Sequence, residues 1–277
     1  MSQYEAYDKT AGHYDTTRSA IGLEIWFGHV LANFADLSRV RVLDAGCGTG
    51  NYAVAMASVV GTVTGLDLNK EMLAEAGKKA DKLGLRDKLL LRAGELPELP
   101  FEDKSFDVVM FNQVLHHLEP LGSQDLTNHC RVIGEASRIL RQGGIVLINA
   151  CSRIQMQSGF WYHALIPEAS GRGRERTISN EQLRNALHSS GFDDVHRTVP
   201  LDALLQGQAS LAPRGPLSAS WRAGDSIWAL VRDDELEGAC AKIEELEAAH
   251  ALNEFVQEQD EARHSIGQTT FWCAKKV

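Results

Sequence analysis

Short runs of apolar, largely β-branched residues alternate with helical patterns along the first 150 positions of the chain. The strand-like runs are RVRVLDAG, TVTGLDL, FDVVMFN and GIVLINA, with a weaker run, KLLLRAG, between the second and the third. Apolar residues at helical spacing mark the intervening segments KEMLAEAGKKADKLG and CRVIGEASRILRQG. Because strands that are apolar throughout are buried on both faces, this alternation predicts an α/β fold with a doubly wound parallel sheet.

The pattern loosens after residue 150. GFWYHALIP groups three aromatic residues, GRGRER predicts a polar basic loop, and SNEQLRNALHSSGF predicts a helix with Ser179 at its N-cap. VHRTVPL and QTTFWCAKK are predicted to be the last two strands. Between them lies a long insertion, residues 201–264, whose first half resembles a loop. Its second half is predicted to be a helix, with apolar residues at Leu236, Cys240, Ile243 and Leu246.

The segment VLDAGCGTG at residues 42–50 carries the strongest chemical signal. An apolar strand ends in Asp44, and a turn with glycines at Gly46, Gly48 and Gly50 follows at once. Glycine lets a ligand approach the backbone where any Cβ would collide. The turn leads into the predicted helix AVAMASVV, whose first N–H groups are free to bind a ligand. We therefore expect a nucleotide-like cofactor at this turn.

The residues around the glycines discriminate between three kinds of cofactor loop. A phosphate-binding P-loop ends in Gly-Lys-Ser/Thr, whereas Asn51 follows Gly50 here, which excludes that loop. A dinucleotide-binding motif needs its third glycine at position 51, where this chain has Asn51. The Asp44 carboxylate would also repel a pyrophosphate, so this motif is disfavoured. S-adenosylmethionine carries an ammonium and a sulfonium and no phosphate, so it fits Asp44. Asp67, which closes the next strand, has the position at which doubly wound folds bind a ribose diol.

With these residues the chain resembles the class I S-adenosylmethionine-dependent methyltransferases of small molecules. The matching segments are VLDAGCGTG, VTGLDLNKEML and GELPELPFEDKSFDVVMFNQVLHHL. The resemblance implies a Rossmann-like sheet of seven strands, mostly parallel with the last strand antiparallel. It implies three parts of the chain: an N-terminal helical cap over 1–39, a cofactor-binding core over 40–200 and 265–277, and the helical insertion over 201–264 as a substrate cover or dimer contact.

The same resemblance implies roles for individual residues. Asp44 and the backbone of Gly46–Gly50 would hold the methionine portion, Asp67 the ribose hydroxyls and Leu68 the adenine. Glu95 stands where the family usually has an Asp that binds the adenine amine, so the acceptor is kept on a longer arm. Asn112 and Gln113 would face the transferring methyl group. The full set of expected cofactor-binding residues is Tyr14, Arg18, Asp44, Gly46, Cys47, Gly48, Gly50, Asp67, Leu68, Met72, Gly94, Glu95, Leu96, Asn112, Gln113 and His117.

Methyl transfer needs a base only where the acceptor atom carries a proton. The candidate bases are His116 and His117, after the predicted fourth strand, and His163 in the aromatic segment. The two adjacent histidines also fit a structural role at the start of a helix. Phe160, Trp161 and Tyr162 follow the fifth strand, where open α/β sheets place their ligands. They are candidates for the acceptor-binding wall, and the alternative is a packing plug under the insertion.

Composition and charge narrow the class of partner. The chain has a formal net charge of −9, which argues against nucleic acid; the acidic stretch at 233–263 alone carries −9, and the rest of the chain is close to neutral. The five cysteines include no CxxC pair, so we expect neither a disulfide framework nor a metal site. The chain has no apolar stretch long enough for a membrane span and no leader, and we expect a cytoplasmic protein, monomeric or homodimeric.

The sequence therefore predicts an enzyme that transfers a methyl group from S-adenosylmethionine to a small-molecule oxygen, nitrogen or carbon, leaving S-adenosylhomocysteine. A non-catalytic S-adenosylmethionine-binding protein is the first alternative. A nicotinamide-dependent oxidoreductase is disfavoured by Asp44 and Asn51. An arsenite methyltransferase is disfavoured because Cys130 and Cys151 do not follow the paired-cysteine pattern of those enzymes. The sequence does not identify the acceptor.

Overall fold

A computed structural model describes residues 20–120 and 125–277 of the chain. Its centre is a seven-stranded sheet in the order β3-β2-β1-β4-β5-β7-β6. The strands are β1 (Arg41–Ala45), β2 (Thr62–Asp67), β3 (Leu89–Ala93), β4 (Phe106–Asn112), β5 (Leu140–Ala150), β6 (Phe192–Thr198) and β7 (Thr270–Lys276). Neighbouring strands pair in parallel except for β7, which runs antiparallel to both β5 and β6. The fold class predicted from the sequence is confirmed.

The strand order reverses between β1 and β4, and this reversal sets the position of the site. β1 pairs with β2 on one side and with β4 on the other, with Asp44 opposite Met110. The carboxyl ends of both strands therefore meet at one edge of the sheet, where open α/β folds bind ligands. The connections that follow these two strands begin at Gly46 and Gln113. Several of the predicted cofactor residues, from Gly46 to Gly50 and at Gln113, lie on these two connections, and others follow β2 and β3.

Helices cover both faces of the sheet and extend beyond it. They are α1 (Leu23–Asn33), α2 (Asn51–Ala57), α3 (Lys70–Lys82), α4 (Thr127–Ile139), α5 (Arg153–Ser158), α6 (Pro167–Glu175), α7 (Asn180–Ser189), α8 (Ala219–Arg222), α9 (Asp233–Ala248), α10 (Leu252–Asp260) and α11 (Arg263–Ile266). One core cluster joins α4 and α7 to the sheet, and another joins α1, α2 and α3 to its opposite face. The result is a three-layer arrangement with the sheet in the middle.

Local sequence signals account for several helix ends. The Ser179 hydroxyl accepts a hydrogen bond from the Gln182 N–H, and the Gln182 side chain accepts one from the Ser179 N–H, which forms the capping box of α7. The predicted helix CRVIGEASRILRQG ends earlier than expected, because α4 stops at Ile139 and Leu140 already pairs with Phe106 in the sheet. The ladder then shifts register before Val108 pairs with Ile145.

The predicted basic loop GRGRER is a helix, so this prediction was wrong. Its residues lie in or just after α6, which begins at Pro167, a residue well suited to a first helical turn. The inner face of α6 is buried, and a methyl group on the Cα of Gly173 would lie 2.6 Å from Ile227 Cδ1. The Arg172 guanidinium forms an ion pair with Glu235 at the start of α9. Tertiary packing therefore outweighs the weak local helix signal of a glycine- and arginine-rich segment.

The insertion between β6 and β7 builds a third hydrophobic cluster together with the segment that follows β5. Phe160, Trp161 and Tyr162 pack there against residues of the insertion such as Ile227 and Trp228. The acidic helix α9 buries Ala239 and Ile243 in the same cluster, and its acidic residues other than Glu235 are exposed. We call this cluster and its helices, residues 151–178 and 199–269, the cap. The three-part division expected from the sequence stays a prediction.

Candidate functional site

The glycine turn after β1 has the backbone geometry that its sequence requires. Gly46, Gly48 and Gly50 have φ angles of 81°, 52° and 76°, in the left-handed region that favours glycine. A methyl group on the Cα of Gly46 would lie 2.6 Å from Val114 Cγ2, whereas one on Gly48 would meet no atom of residues 20–120 and 125–277 within 4 Å. Gly46 is therefore needed for packing within the protein. Gly48 borders open space, where a ligand can approach the backbone.

Asp44 is a buried carboxylate in an unfavourable environment. Its side chain is almost fully buried, and within the described part of the chain its Oδ1 atom has no hydrogen-bond partner. Burial, together with the nearby negative charge of Asp67, raises the pKa of Asp44 to about 7, although the Ala53 N–H lowers it. A positively charged group beside Oδ1 would remove this cost. The site therefore fits the ammonium group of S-adenosylmethionine and does not fit a pyrophosphate.

Asp67 ends β2 and is held by backbone N–H groups. Its Oδ2 accepts a hydrogen bond from the Gly48 N–H at 2.8 Å, and its Oδ1 accepts one from the Asn69 N–H at 2.9 Å. Burial nevertheless raises the pKa of this carboxyl group. Each oxygen keeps a second lone pair, which suits two adjacent ribose hydroxyls. Leu68 follows with its side chain 44% exposed, which offers an apolar surface beside Asp67 for an adenine ring.

The remaining predicted cofactor residues lie in different environments. Gly94 follows β3 next to Leu66, and Glu95 is exposed beside it. Met72 lies in the first turn of α3 with its side chain buried. A ligand would therefore contact the residues around Met72 and not Met72 itself. Burial and the two neighbouring carboxylates raise the pKa of the Cys47 thiol well above its usual value, which makes the thiol unreactive. Leu96, which follows Glu95, is half-buried. Two further predicted residues, Tyr14 and Arg18, lie outside the described residues.

A network of side-chain amides connects the carboxyl ends of β4 and β5 to the start of β7. Asn149 Nδ2 donates to Asn112 Oδ1 at 2.8 Å, and Gln113 Nε2 donates to Thr269 Oγ1 at 2.8 Å and to Asn149 Oδ1 at 3.2 Å. The Thr269 hydroxyl also donates to Asn149 Oδ1. Gln113 holds a left-handed backbone, with φ 49°, and its N–H donates to the Asn149 carbonyl.

This network fixes the two residues that the sequence analysis expected to face the methyl group. Asn149 and Thr269, which orient them, were missed. A polar residue inside the otherwise apolar run GIVLINA was the signal available for Asn149. Thr269 gave no such signal, because it precedes β7 and comes from a distant part of the sequence.

A cavity of about 410 Å³ opens beyond this network. Its inner wall is formed by residues that follow β4 and β5, including Gln113, His117 and Cys151. Its outer wall comes from the cap, where parts of α6 and residues 205–230 of the insertion contribute. None of the acidic residues of α9 lines it. The volume is in the range of pockets for small molecules.

The predicted bases all border this cavity. His116 and His117 lie in a 3₁₀ turn, Leu115–His117, with their ring centroids 3.9 Å apart. His163 lies in a second 3₁₀ segment, Trp161–Leu165, and is buried. The sequence analysis named these histidines without bringing them together. The fold places the two segments on opposite walls of one cavity, the first beside the sheet and the second in the cap.

Of the three aromatic residues predicted to bind the acceptor, only Phe160 lines the cavity. Trp161 is buried behind it and donates its indole N–H to the Ser210 carbonyl at 2.7 Å. The Tyr162 hydroxyl donates to the Asp225 carboxylate. Trp161 and Tyr162 therefore hold the cap together, as the packing alternative anticipated. Asp225 itself lines the cavity, although nothing in the sequence indicated it as an acceptor-binding residue, and Arg176 of the GRGRER segment lines it too.

Residues 20–120 and 125–277 contain no group of three or more His, Cys, Asp or Glu side chains that could hold a metal ion. In the same ranges, no helix combines the length and the apolar character that a membrane crossing requires.

Comparisons with known proteins identify the family of the chain. Residues 36–191 match the family model of a methyltransferase domain. The chain is 34% identical over 214 residues to the demethylmenaquinone methyltransferase of Lactiplantibacillus plantarum, which covers 69% of this chain and 87% of that protein. It is 29% identical over 154 residues to the 27-O-demethylrifamycin SV methyltransferase of Amycolatopsis mediterranei, which covers 55% of this chain and 54% of that enzyme. The chain therefore spans about half the length of the rifamycin relative.

Among solved structures, the chain is similar to a protein of Anabaena variabilis described as a methyltransferase from an antibiotic biosynthesis pathway. The TM-score is 0.66 at 19% identity, over 90% of this chain and 96% of that one. This likeness shows the fold. The family match and the demethylmenaquinone methyltransferase relative place the chain in the class of S-adenosylmethionine-dependent methyltransferases. By the match of its family model over more than half of the sequence, the chain belongs to the methyltransferase domain family.

Proposed function

We propose that this protein transfers the methyl group of S-adenosylmethionine to a small-molecule acceptor held in the cavity between the sheet and the cap. The observation that carries the proposal is the pairing of two features at one edge of the sheet. Asp44 offers a buried carboxylate oxygen with no partner in the described ranges, and Gln113, one of the residues that follow β4, borders a cavity of about 410 Å³. The first feature suits a cationic donor, and the second suits an acceptor.

Each part of the site has a defined task in this proposal. Asp44 and the Gly46–Gly50 backbone hold the amino-acid portion of the donor, and Asp67 holds its ribose. Leu68 packs on the adenine, and Glu95 accepts from its amine. The bound sulfonium supplies an electrophilic methyl group, which an acceptor atom attacks in line with the carbon–sulfur bond.

Catalysis then depends on how the chain orients the acceptor and excludes water. The Asn112–Asn149–Gln113 network holds the polar edge of the site rigid, because each amide is fixed by a hydrogen bond to another strand end. The cap encloses the cavity with apolar residues such as Phe160 and Trp228. Positioning in a water-free pocket is worth about 7 to 11 kcal/mol of barrier when the geometry is good.

The names of two relatives indicate the acceptor class. One is named for an O-demethylated rifamycin and the other for demethylmenaquinone, and both names describe small molecules. We infer that this chain also takes a small molecule, whose identity these relatives do not fix. A monomeric or homodimeric state and a cytoplasmic location stay predictions from the sequence.

Two measurements test the function. Calorimetry should show binding of S-adenosylhomocysteine and no binding of NAD, and NAD binding would instead support the oxidoreductase alternative. Purified protein with S-adenosylmethionine labelled in the methyl group should transfer label to one or more members of a broad panel of small hydroxyl, amine and carbon-acid acceptors. Binding without transfer to any acceptor in that panel would support the non-catalytic alternative.

A further inference from the structure

His163 has a defined tautomer. Its Nδ1 atom lies 2.6 Å from the Met156 carbonyl oxygen. Because a carbonyl oxygen only accepts, Nδ1 carries the hydrogen, and in the neutral ring Nε2 carries the lone pair. Nε2 forms no hydrogen bond with any residue in ranges 20–120 and 125–277, while the His163 ring lines the cavity. A buried acceptor nitrogen therefore borders the space where an acceptor molecule would bind.

Neighbouring rings hold this orientation. The Phe160 ring stacks on His163 with centroids 4.8 Å apart, and the Tyr162 ring meets it edge-on at 5.1 Å. The Ser170 hydroxyl donates to the same Met156 carbonyl at 3.2 Å. Rotating the imidazole by half a turn would place a C–H group against that carbonyl and break the Nδ1 hydrogen bond. The ring is therefore preorganised with Nε2 as an acceptor.

The electrostatic surroundings favour a neutral ring that can take up a proton during the reaction. Burial lowers the pKa of His163, and the Asp225 carboxylate partly offsets this effect. Asp225 accepts a hydrogen bond from Gln206 Nε2 at 2.7 Å and one from the Tyr162 hydroxyl. The Asp225 charge would stabilise the imidazolium that forms when His163 gains a proton. The other titratable or charged side chains lining this cavity in the described ranges are His116, His117, Cys151, Arg176 and Arg222.

These charges also select the kind of acceptor. Arg176 is 6% exposed at the cavity wall, and the Arg222 side chain lines the cavity on the insertion side. Two guanidinium groups against one carboxylate disfavour an acceptor that arrives as an ammonium ion, and they favour one that develops negative charge on oxygen. The apolar wall at Phe160 and Trp228 suits a planar ring system.

Building on the proposed function, we propose that His163 is the proton acceptor for methyl transfer to a phenolic or enolic hydroxyl group. The O–H bond of the acceptor breaks and its proton passes to Nε2 of His163. The same oxygen forms a bond to the donated methyl carbon, and the carbon–sulfur bond breaks with its electron pair left on sulfur. The products are the methyl ether, S-adenosylhomocysteine and an imidazolium that returns its proton to water after product release.

The test uses His163→Asn, because the asparagine amide can still donate to the Met156 carbonyl while the Nε2 acceptor is lost. His188→Asn is the matched control: His188 also has Nδ1 near a backbone carbonyl, that of Phe192 at 3.2 Å, but it does not line the cavity. The probes are 1-naphthol, which is protonated at neutral pH, and 4-nitrophenol, which is ionised at mildly alkaline pH. Methyl transfer is followed with label from S-adenosylmethionine.

We expect His163→Asn to lower kcat for 1-naphthol by about 10²- to 10⁴-fold, the usual contribution of a general base. Its kcat for ionised 4-nitrophenol should fall far less, since that acceptor needs no base. The Kd for S-adenosylhomocysteine should not change, and His188→Asn should match the wild type in every assay. The wild-type kcat/KM for 1-naphthol should fall at acidic pH as His163 becomes protonated, and this limb should be absent in His163→Asn.

The tautomer of His163 can be measured by spectroscopy, independently of enzymatic activity. Nitrogen-15 NMR of histidine-labelled wild-type protein should show His163 as the Nδ1–H tautomer, with an Nε2 shift when 1-naphthol is added with S-adenosylhomocysteine. An Nε2–H tautomer, or equal losses of kcat for both probes, would overturn the proposal, and the tautomer decides even if the variant does not fold. If the wild type methylates neither probe but methylates amines, the phenolic class is wrong while the proposed function stands. If it methylates nothing at all, the proposed function itself fails.

Discussion

The buried carboxylate of Asp44 predicts that a single isosteric substitution stabilises the ligand-free protein and weakens cofactor binding. Asp44→Asn keeps the shape of the side chain and removes its charge. In the folded wild type the pKa of Asp44 is raised to about 7, from an ordinary value of 3.8. Between these two values the folded state binds a proton that the unfolded state has released. Wild-type stability therefore falls as the pH rises through this window, and the variant lacks this loss.

The size of the effect follows from the shift in pKa. A pKa difference of one corresponds to a free energy of about 1.4 kcal/mol. The rise in the pKa of Asp44 from 3.8 to about 7 therefore costs the folded state about 4 kcal/mol once Asp44 is fully ionised. Between about pH 5 and pH 8, the free energy of unfolding of Asp44→Asn relative to wild type should rise by about 2 to 3 kcal/mol. Any constant cost of the buried amide cancels in this difference between two pH values.

Urea denaturation followed by tryptophan fluorescence at several pH values measures this difference. The matched control is Asp107→Asn, because Asp107 is also buried but is paired with Arg41 and Arg141. That variant loses ion pairs and should be destabilised at neutral pH, the opposite sign. A stability difference for Asp44→Asn that stays flat from pH 5 to pH 8 would refute the reasoning.

The same substitution should weaken binding of S-adenosylhomocysteine. A hydrogen bond to a charged group is worth about 1.5 to 3 kcal/mol, which corresponds to about 10- to 150-fold in Kd. Wild-type affinity should also fall as the pH drops below 7, because Asp44 becomes protonated. Calorimetry of the wild type and variant across pH checks both effects, and an unchanged Kd would remove Asp44 from the cofactor site.

Three further substitutions test the site and the fold. Asp67→Ala should raise the Kd for S-adenosylhomocysteine at least about tenfold in calorimetry, because it loses hydrogen bonds to the ribose; an unchanged Kd would contradict the ribose role. Thr269→Val should destabilise the protein by about 1 to 3 kcal/mol in urea, since Gln113 and Asn149 each lose their hydrogen bond to the threonine hydroxyl; full stability would mean that the network matters little. Ser179→Ala should cost about 1 kcal/mol in thermal unfolding through the lost N-cap, and no loss would argue against that cap.

The sequence predicts the sheet and the donor half of the site well, because both depend on local patterns. Strand–helix alternation is visible in RVRVLDAG and FDVVMFN, and three glycines with left-handed backbone have a direct sequence signature at 46, 48 and 50. Asp44 and Asp67 were identified for the same reason, since each is the polar end of an apolar strand. The structure adds a fact that the sequence could not contain. Within the described ranges, Asp44 Oδ1 has no hydrogen-bond partner.

The acceptor half depends on long-range contacts and was predicted less completely. The GRGRER segment lies in a helix that packs against distant parts of the chain. Gly173, for example, packs against Ile227, which is more than fifty residues further along the sequence. Trp161 and Tyr162 look like ligand-binding aromatics in the sequence, yet their polar groups bind Ser210 and Asp225 of the insertion. No local pattern encodes these pairings, so the roles of such residues could not be assigned before the cap was seen folded.

The insertion leaves the sheet after β6 and returns in β7, and these two strands are neighbours, with Thr198 paired to Phe271. Its two ends are therefore held together by the core and not by the insertion itself. Because both ends are anchored in this way, the insertion, residues 201–264, forms a natural unit for recombination when its contacts with Trp161 and Tyr162 are kept. Grafting this unit from another enzyme would change the range of acceptors while the glycine turn and Asp67 keep the same donor.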